Sequence, residues 1–379
     1  MRLVASLLLV SVALTACTSE DASPPEPSAQ TPVAPPSNED NPTDPAITAK
    51  PSPPDPDPRV KVVRTLATGL QAPWGLDFLP DGSAVFTERD TKRVLVLEEG
   101  SEPRQIGTID EADPRVESGL LGVAVSPDFA TDSALYFYLT TTSDNRVVRA
   151  TYDGRRLGPV EPILTGIPKG FTHDGGRLEF GPDGNLFVST GETGDGQMAQ
   201  DPDALGGKIL HITTDGDPAP GNPDPDSPIW TSGHRNVQGL AFDSDEQLWA
   251  SEFGSQTFDE LNRIRKGANY GWPLFEGAGG APDYADPQVV WRTENASPSG
   301  LAFAEGHLWM ASLRGERLWR VSVKDGTASD PTDFFVGKYG RLRTVALAPD
   351  GKLWLTTSNR DGRGDPESED DRILEITLH

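Results

Sequence analysis

The chain repeats one local pattern six times. In each unit a short apolar strand, typically G-L-x-F, is followed by a turn of the Pro-Asp-Gly kind and a second strand that often contains Leu-Trp or Leu-Phe. Proline presets φ and glycine accepts a positive φ, so Pro-Asp-Gly between alternating apolar runs predicts a hairpin. The six units start at Gly75, Gly119, Gly176, Gly239, Gly300 and Thr344.

The spacing of the units limits the fold. Successive starts lie 44, 57, 63, 61 and 44 residues apart, which is enough for four strands and their loops. We therefore predict an all-β fold, a six-bladed β-propeller of four-stranded antiparallel blades. Strand-like segments after Arg59 (VKVVRTLA) and before His379 (RILEITL) would complete one shared blade and close the ring. A β-sandwich is the alternative fold, which six similar units disfavour.

The N-terminal region is expected to carry a lipoprotein signal and a tether. Residues 1–16 have one early charge, an apolar core too short to span a bilayer, and small residues before Cys17, the chain's one cysteine. We predict a lipidated Cys17 and an extracytoplasmic protein held at the cell membrane by lipid only; an ordinary secretory signal is the alternative. Residues 17–58 hold 13 of the 35 prolines and should form a disordered tether, which leaves 59–379 for the propeller.

Charge and motifs exclude several functions. The formal net charge of −25 argues against a nucleic-acid partner, because phosphates would not be neutralised. The sequence has no HExxH zinc motif, no P-loop and no GxGxxG after a strand, so NAD-dependent or ATP-dependent chemistry is not supported.

The register of the repeat brings polar residues to one place. His173 stands three residues before its unit start, in a segment that could equally be an ordinary turn. In a propeller, however, residues just before each first strand should converge at one mouth of the central channel. The residues at or near that offset in the other units are Glu117, Asn236, Ser297, Arg341 and Arg343.

These residue types suggest a chemistry. An imidazole is the commonest general base. The segment GHRNVQG adds Arg235 and Gln238, and ASLRG adds Arg314. Guanidinium groups recognise carboxylates, so several around one channel suggest a ligand with several carboxylates. The alternative is that each arginine pairs with an acid between blades.

Five segments together resemble a known family. They are SGLLGVAVSPDF, HDGGRLEFGPDG, GHRNVQGLAF, DELNRIRKGANYGWP and GRLRTV, and the chain resembles the glucose/sorbosone dehydrogenases, soluble quinoproteins that use pyrroloquinoline quinone (PQQ). The resemblance implies a six-bladed propeller and oxidation of aldose sugars at C1 to lactones. It also implies His173 as the base and Arg235 as the stabiliser of negative charge. The remaining cofactor-binding positions would be Glu117, Asn236, Gln238, Arg314, Arg341 and Arg343.

The same resemblance implies calcium. One Ca²⁺ would polarise PQQ through the backbone carbonyls of Gly254 and Ser255. A second, structural Ca²⁺ would use the Glu260 carboxylate and the Tyr270 carbonyl. Asp259 could contact the sugar. A solvated turn is the alternative for Asp259 and Glu260.

Four positions depart from the family pattern. Glu117 stands where glutamine is usual, which puts a negative charge beside an anionic cofactor and should weaken its binding unless that charge is protonated or paired. Arg314 replaces lysine, Ser255 replaces a proline that is often present, and Phe253 replaces a polar residue. Two other functions therefore stay open: a propeller that binds a sugar or cell-wall ligand without turnover, and a Ca²⁺-dependent lactone hydrolase. The physiological electron acceptor is not indicated.

Overall fold

Six β-sheets form a ring in the computed structural model, which describes residues 47–49 and 57–378. Blade 1 contains β3 (Pro73–Phe78), β4 (Ala84–Glu88), β5 (Arg93–Leu97) and β6 (Arg104–Thr108), which follow β1 (Ile47–Thr48) and β2 (Lys61–Ala67) in the chain. Blade 2 contains β7 (Leu120–Val125), β8 (Ala134–Thr140), β9 (Asn145–Thr151) and β10 (Glu161–Ile167). Blade 3 contains β11 (Leu178–Phe180), β12 (Leu186–Ser189), β13 (Ile209–Ile212) and β14 (Ile229–Thr231).

The second half of the ring repeats this order. Blade 4 contains β15 (Val237–Phe242), β16 (Leu248–Glu252), β17 (Phe258–Arg263) and β18 (Val289–Arg292). Blade 5 contains β19 (Pro298–Ala304), β20 (His307–Ser312), β21 (Arg317–Lys324) and β22 (Thr327–Phe334). Blade 6 contains β23 (Leu342–Leu347), β24 (Leu353–Thr357) and β25 (Ile373–Thr377). Within the described ranges, helix is confined to α1 (Phe129–Asp132) and a 3-10 turn, Gly196–Gln200.

The first strand of every unit lies innermost. Strands β3, β7, β11, β15, β19 and β23 pack side by side around the axis, and β23 returns to β3. The fourth strand of blade 6 is β2, which pairs antiparallel with β25 and joins the two ends of the propeller. The predicted six-bladed propeller with a shared closing blade is therefore confirmed. Because the first strands line the channel, loops that lead into them reach one end of it.

Each interface between neighbouring blades has its own apolar core. Six clusters of buried side chains lie between adjacent sheets in the described part of the chain. Trp249, Trp291 and Trp319, for example, are fully buried between blades 4 and 5. Burying one such side chain stabilises the fold by roughly 1.5–3 kcal/mol. The alternating strands therefore hold the ring together through side-by-side packing of sheets, which leaves the axis free for polar residues.

One short segment differs from the predicted tether. Residues Ile47–Thr48 pair parallel with β18 at the edge of blade 4, and Ala49 is buried. Disorder over all of 17–58 is therefore wrong for residues 47–49. The backbone of an unpaired edge strand supplies hydrogen bonds to an added segment, so order there does not require apolar composition. The predicted signal of residues 1–16, Cys17 and most of the tether lie outside the described residues. No helix in the described ranges is both long and apolar enough to cross a bilayer.

Candidate active site

The backbone of His173 is held in an unusual conformation by two neighbouring units. His173 lies in the loop before β11 with φ of 60°, in the left-handed region. Its N–H donates to Glu117 Oε2 at 2.9 Å, and the N–H of Gly175 donates to Asn236 Oδ1 at 3.0 Å. The chain thus bends between side chains from blades 2 and 4, which fixes where the imidazole can reach.

Two partners determine the tautomer of His173. Its Nδ1 lies 2.8 Å from Glu192 Oε1, and its Nε2 lies 3.0 Å from Nη2 of Arg235. A carboxylate accepts and a guanidinium only donates. The imidazole must therefore be neutral, with the proton on Nδ1 and the lone pair on Nε2. This is the protonation state that a general base needs.

Arg235 links the imidazole to the next loop. Its Nη1 donates to the carbonyl of Gly254 at 2.6 Å, and its guanidinium lies 5.4 Å from the ring centre of Trp272. Burial lowers the pKa of Arg235, while the nearby Glu192 acts in the opposite direction. The guanidinium thus places a positive charge beside the base, and the indole ring of Trp272 supports one of its faces.

A cavity of about 170 Å³ opens at the mouth of the channel near this pair. It brings together five of the residues predicted from the sequence: Glu117, Gln238, Arg314, Arg341 and Arg343. Its other lining residues are Arg89, Val116, Phe253, Ser297, Leu313, Asp361 and Arg363. Five guanidinium groups thus face two carboxylates, in a chain with a net charge of −25. The cavity therefore favours an anionic ligand.

Arg341 and Arg343 are fixed by one carboxylate. Both form ion pairs with Asp361 Oδ2, at 3.0 and 3.3 Å, and Arg343 also donates to Gln238 Oε1 at 3.0 Å. Burial lowers the pKa of Arg343 to about 9, although Asp361 opposes the change. Burial by itself would raise the pKa of Asp361. The two guanidinium groups lower it by more than burial raises it, so the pKa lies below its usual value. The arginines therefore pair inside the cavity wall, and the predicted alternative of pairs between blades does not describe them.

The remaining predicted positions differ in exposure. Arg314 is exposed in the cavity wall and has no hydrogen bond or ion pair with any described residue. Asn236 is buried and holds the His173 loop rather than lining the cavity. Asp259 is also buried, and its oxygens accept from the N–H groups of Gly254 at 2.9 Å and Ser297 at 2.6 Å. Its contacts in the structure position two loops, and contact with a sugar stays a prediction.

The loop predicted to bind the first calcium has one unexpected organiser. A single oxygen of Glu276 accepts the N–H groups of Ser255, Gln256, Thr257 and Phe258 at 2.8 to 3.1 Å. The carbonyls that approach the Arg235 guanidinium belong to Phe253 and Gly254. Oxygen atoms at this place therefore already face a cation, which is compatible with the predicted use of the Gly254 carbonyl.

The predicted second calcium position contains two buried carboxylates. Glu252 and Glu260 share the side-chain N–H₂ of Asn262, at 3.4 and 3.0 Å. Burial raises the pKa of Glu260 to about 8, and Glu252 adds to the shift. Tyr270 is nearby in the sequence, and its hydroxyl donates to the Arg263 carbonyl. Two adjacent buried carboxyl groups offer oxygen atoms to a cation, although the described part of the chain has no group of three or more His, Cys, Asp or Glu side chains that could hold a metal ion.

Several site residues escaped the sequence analysis. Glu192, Glu276, Asp361 and Arg363 all contact a predicted residue, and each lies in a loop rather than at the repeated offset. Glu192 is the last residue of the segment STGE and lies three residues after the end of β12. Its place after the second strand of a blade was the one feature of the sequence that could have pointed to it. The other three lie in loops without a shared motif.

Fold and site together define a class of protein. It is a β-propeller with an axial cavity whose guanidinium groups suit an anionic ligand, and with a neutral imidazole whose loop is held by Glu117 in the cavity wall. Residues 70–365 match the model of the Glucose / Sorbosone dehydrogenase family, and the chain belongs to that family. The family membership that five sequence segments indicated is thereby confirmed. The expectation that the protein is an oxidoreductase is confirmed with it.

Individual relatives agree with the family. A solved PQQ-bound form of an aldose sugar dehydrogenase from Streptomyces coelicolor is 53% identical, with a TM-score of 0.82, and the match covers 84% of this chain and 97% of that one. The aldose sugar dehydrogenase YliI of Escherichia coli is 28% identical over 79% of this chain and 91% of its own. Quinoprotein glucose dehydrogenase B of Acinetobacter calcoaceticus is 32% identical over 56% of this chain and 52% of its own.

Proposed function

We propose that this protein oxidises aldose sugars at C1 to lactones, with PQQ as cofactor and His173 as the base. The observation that carries the proposal is a cavity lined by five guanidinium groups, in which the wall residue Glu117 also holds the backbone of His173, a neutral imidazole with its lone pair on Nε2. The relative from Streptomyces coelicolor, which was solved with PQQ bound, supports the choice of cofactor.

The lining of the cavity fits such a cofactor. PQQ is a planar tricarboxylate, and Arg314, Arg341 and Arg343 would hold its carboxylates while Gln238 orients Arg343. Asn236 would act through the loop of His173. Arg314, with no described partner, is the guanidinium most available to a ligand. When bound, PQQ supplies a quinone that accepts two electrons as a hydride.

The chain's own residues would provide a base and fixed charge. Nε2 of His173 would take the proton of the C1 hydroxyl as the C1–H bond breaks, so that the carbinol carbon becomes the lactone carbonyl. Glu192 keeps the proton on Nδ1 and stabilises the imidazolium that forms. Arg235 donates to Nε2, so its Nη2 donor must move aside when a hydroxyl binds there. It would then stabilise negative charge on the reacting oxygens.

Two calcium ions belong to the same proposal. The carbonyls of Gly254 and Ser255 would hold the ion near the cofactor, and Glu260 with the Tyr270 carbonyl would hold a structural one. Support comes from the Gly254 carbonyl, which faces a cation, and from the buried pair Glu252 and Glu260. Oxygen donors of this type suit Ca²⁺.

One assay tests the function. The full-length chain is mixed with PQQ and Ca²⁺, and reduction of an artificial dye is followed with glucose and other aldoses. Reduction that His173→Ala abolishes supports the proposal, and His307→Gln serves as control because His307 contacts the Glu305 carbonyl in the turn between β19 and β20. Absence of PQQ binding at every calcium concentration would favour a sugar-binding propeller. Lactone cleavage without PQQ would favour a hydrolase.

The place of action is part of the proposal. A lipidated Cys17 would keep the propeller at the outer face of a cell membrane, where the long proline-rich segment gives it reach. Metabolic labelling with a fatty acid tests this, since label should enter the wild type and be absent from Cys17→Ala. Equal labelling of the two proteins would exclude an anchor at Cys17.

A further inference from the structure

An ion pair joins two loops at the mouth of the cavity. Nη1 of Arg363 lies 2.5 Å from Oε1 of Glu117. The two residues are 246 positions apart and come from blades 2 and 6. The Glu117 side chain is 17% exposed and that of Arg363 is 49% exposed, so the carboxylate lies inside the wall and the guanidinium covers it from the solvent side.

The two oxygens of Glu117 have separate partners. Oε1 binds Arg363, whereas Oε2 accepts the N–H of His173 at 2.9 Å. Burial raises the pKa of Glu117, but the His173 N–H and the Arg363 guanidinium outweigh it, and the pKa lies below its usual value. Glu117 is therefore an ionised group that both anchors the base and places a negative charge in an anion-binding cavity.

The loop that carries Arg363 is built into the same wall. The N–H of Arg363 donates to Asp361 Oδ1 at 3.0 Å, and the other oxygen of Asp361 binds Arg341 and Arg343. Gly364 then passes so close that an added Cβ would lie 2.9 Å from Cδ of Arg341. The turn that contains Asp361 and Arg363 thus positions the buried guanidinium groups of Arg341 and Arg343. It also positions the half-exposed guanidinium of Arg363, which faces Glu117.

We propose that Arg363 is the counter-charge of Glu117, and that the pair lets the cavity bind an anionic cofactor although a carboxylate lines it. The inference rests on the proposed function. An unpaired carboxylate a few ångströms from a ligand carboxylate repels it, and a guanidinium in contact with that carboxylate removes most of the repulsion. Arg363 then increases the affinity for the cofactor because it neutralises Glu117. Where residue 117 is neutral, replacing Arg363 should change that affinity little.

The test is a double-mutant cycle on PQQ affinity. Wild type, Glu117→Gln, Arg363→Gln and the double variant are titrated with PQQ, and binding is followed by quenching of tryptophan fluorescence. We expect Arg363→Gln to weaken binding about tenfold, which corresponds to one such repulsion. Glu117→Gln should bind as tightly as wild type or up to about tenfold more tightly, and the double variant should lie within about threefold of wild type. A double variant as weak as Arg363→Gln or weaker would overturn the inference.

A matched pair controls for net charge. Lys352 and Asp350 form an ion pair at 2.7 Å in the turn between β23 and β24, away from the cavity lining. Lys352→Gln removes one positive charge just as Arg363→Gln does, so its PQQ affinity should equal that of wild type. If Lys352→Gln weakens binding as much as Arg363→Gln, the effect is one of overall charge and the inference fails.

A ligand-free measurement separates this inference from the proposed function. If wild type does not bind PQQ at all, the proposed function fails, and urea unfolding of the same four proteins still tests the pair. Arg363→Gln should then destabilise the chain when residue 117 is glutamate and leave stability nearly unchanged when it is glutamine. Equal effects in both backgrounds would show that the two residues do not act as a pair.

A fourth substitution separates the two roles of Glu117. Glutamine keeps a side-chain oxygen that accepts the N–H of His173, whereas Glu117→Ala removes it. With PQQ at saturation, Glu117→Ala should therefore lower kcat for dye reduction by more than Glu117→Gln does. Equal kcat values for the two variants would show that Oε2 does not position the base.

Discussion

Nδ1 of His173 donates its proton to a carboxylate oxygen of Glu192 across 2.8 Å, and Glu192 is almost fully buried. The bond joins the loop before the innermost strand of blade 3 to the end of the second strand of the same blade. Because the two anchoring points belong to one sheet, the blade itself holds the imidazole in this orientation. Preorganisation of this kind lets a base work without rearrangement of its surroundings.

Replacing Glu192 by glutamine tests this orientation. The amide can present its nitrogen to Nδ1 and thereby favour the wrong tautomer, so we expect kcat for dye reduction to fall roughly 10–100-fold with little change in KM for the sugar. The exposed Glu102→Gln serves as control. Unchanged kcat in Glu192→Gln would mean that the carboxylate does not set the tautomer.

Asp361 should be required for stability as well as for cofactor binding. Asp361→Asn leaves the buried guanidinium groups of Arg341 and Arg343 without their shared counter-charge, which should cost about 3 kcal/mol in the free energy of unfolding. Urea denaturation measures the loss. Asp350→Asn removes a carboxylate from a half-exposed pair and should cost under about 1 kcal/mol. Similar losses in the two variants would contradict the structural role of Asp361.

Gly191 leaves room for the backbone of the base. A Cβ at this position would overlap the carbonyl oxygen of His173, so Gly191→Ala should displace the loop. We expect a loss of roughly 1–3 kcal/mol in stability together with a fall in kcat. Gly166→Ala, at a positive φ with open space around it, should cost some stability without affecting kcat. Full activity in Gly191→Ala would show that the position of His173 tolerates this shift.

Stability should depend on pH through a carboxylate at the opposite end of the channel. Burial raises the pKa of Glu179 to about 8, and Asp77 in the same cavity adds to the shift. The folded chain holds this proton more tightly than the unfolded chain, so the contribution of Glu179 to stability is complete below pH 4.5 and is lost as the pH rises through 8.

A comparison at two pH values checks this dependence. We expect Glu179→Gln to match wild type at pH 4.5 and to exceed it by roughly 1–2 kcal/mol at pH 8, a modest value because water partly reaches the side chain. Urea unfolding at the two pH values gives the difference, with Glu102→Gln as control. An advantage of the same size at both pH values would exclude titration of Glu179 as the cause.

Much of the fold could be predicted because its information is local and repeated. Each hairpin is specified by a turn and two alternating strands within about 20 residues, and six copies leave few arrangements other than a ring. The pairing of β2 with β25 followed from the strand-like ends alone. Residues 47–49 could not be predicted, because their order comes from the open edge of β18, whose position depends on the completed sheet.

The candidate site divides in the same way. The register of the repeat predicted that His173, Gln238, Arg341 and Arg343 lie at one mouth of the channel. The reason is that the residues around the start of each inner strand reach the same end of the channel. The partners that give those groups their charge state come from irregular loops, and nothing in the local sequence relates Glu117 to Arg363.

By itself, then, the sequence determined the number of blades, the strand that lines the channel and the residue types that gather there. Only the tertiary structure decided which charges neutralise one another, since an ion pair depends on distances of a few ångströms between loops that lie far apart in the chain. Strand patterns repeat and can be recognised one at a time. Contacts such as Glu192 with His173 and Asp361 with Arg343 exist only once the ring has closed and its loops have packed.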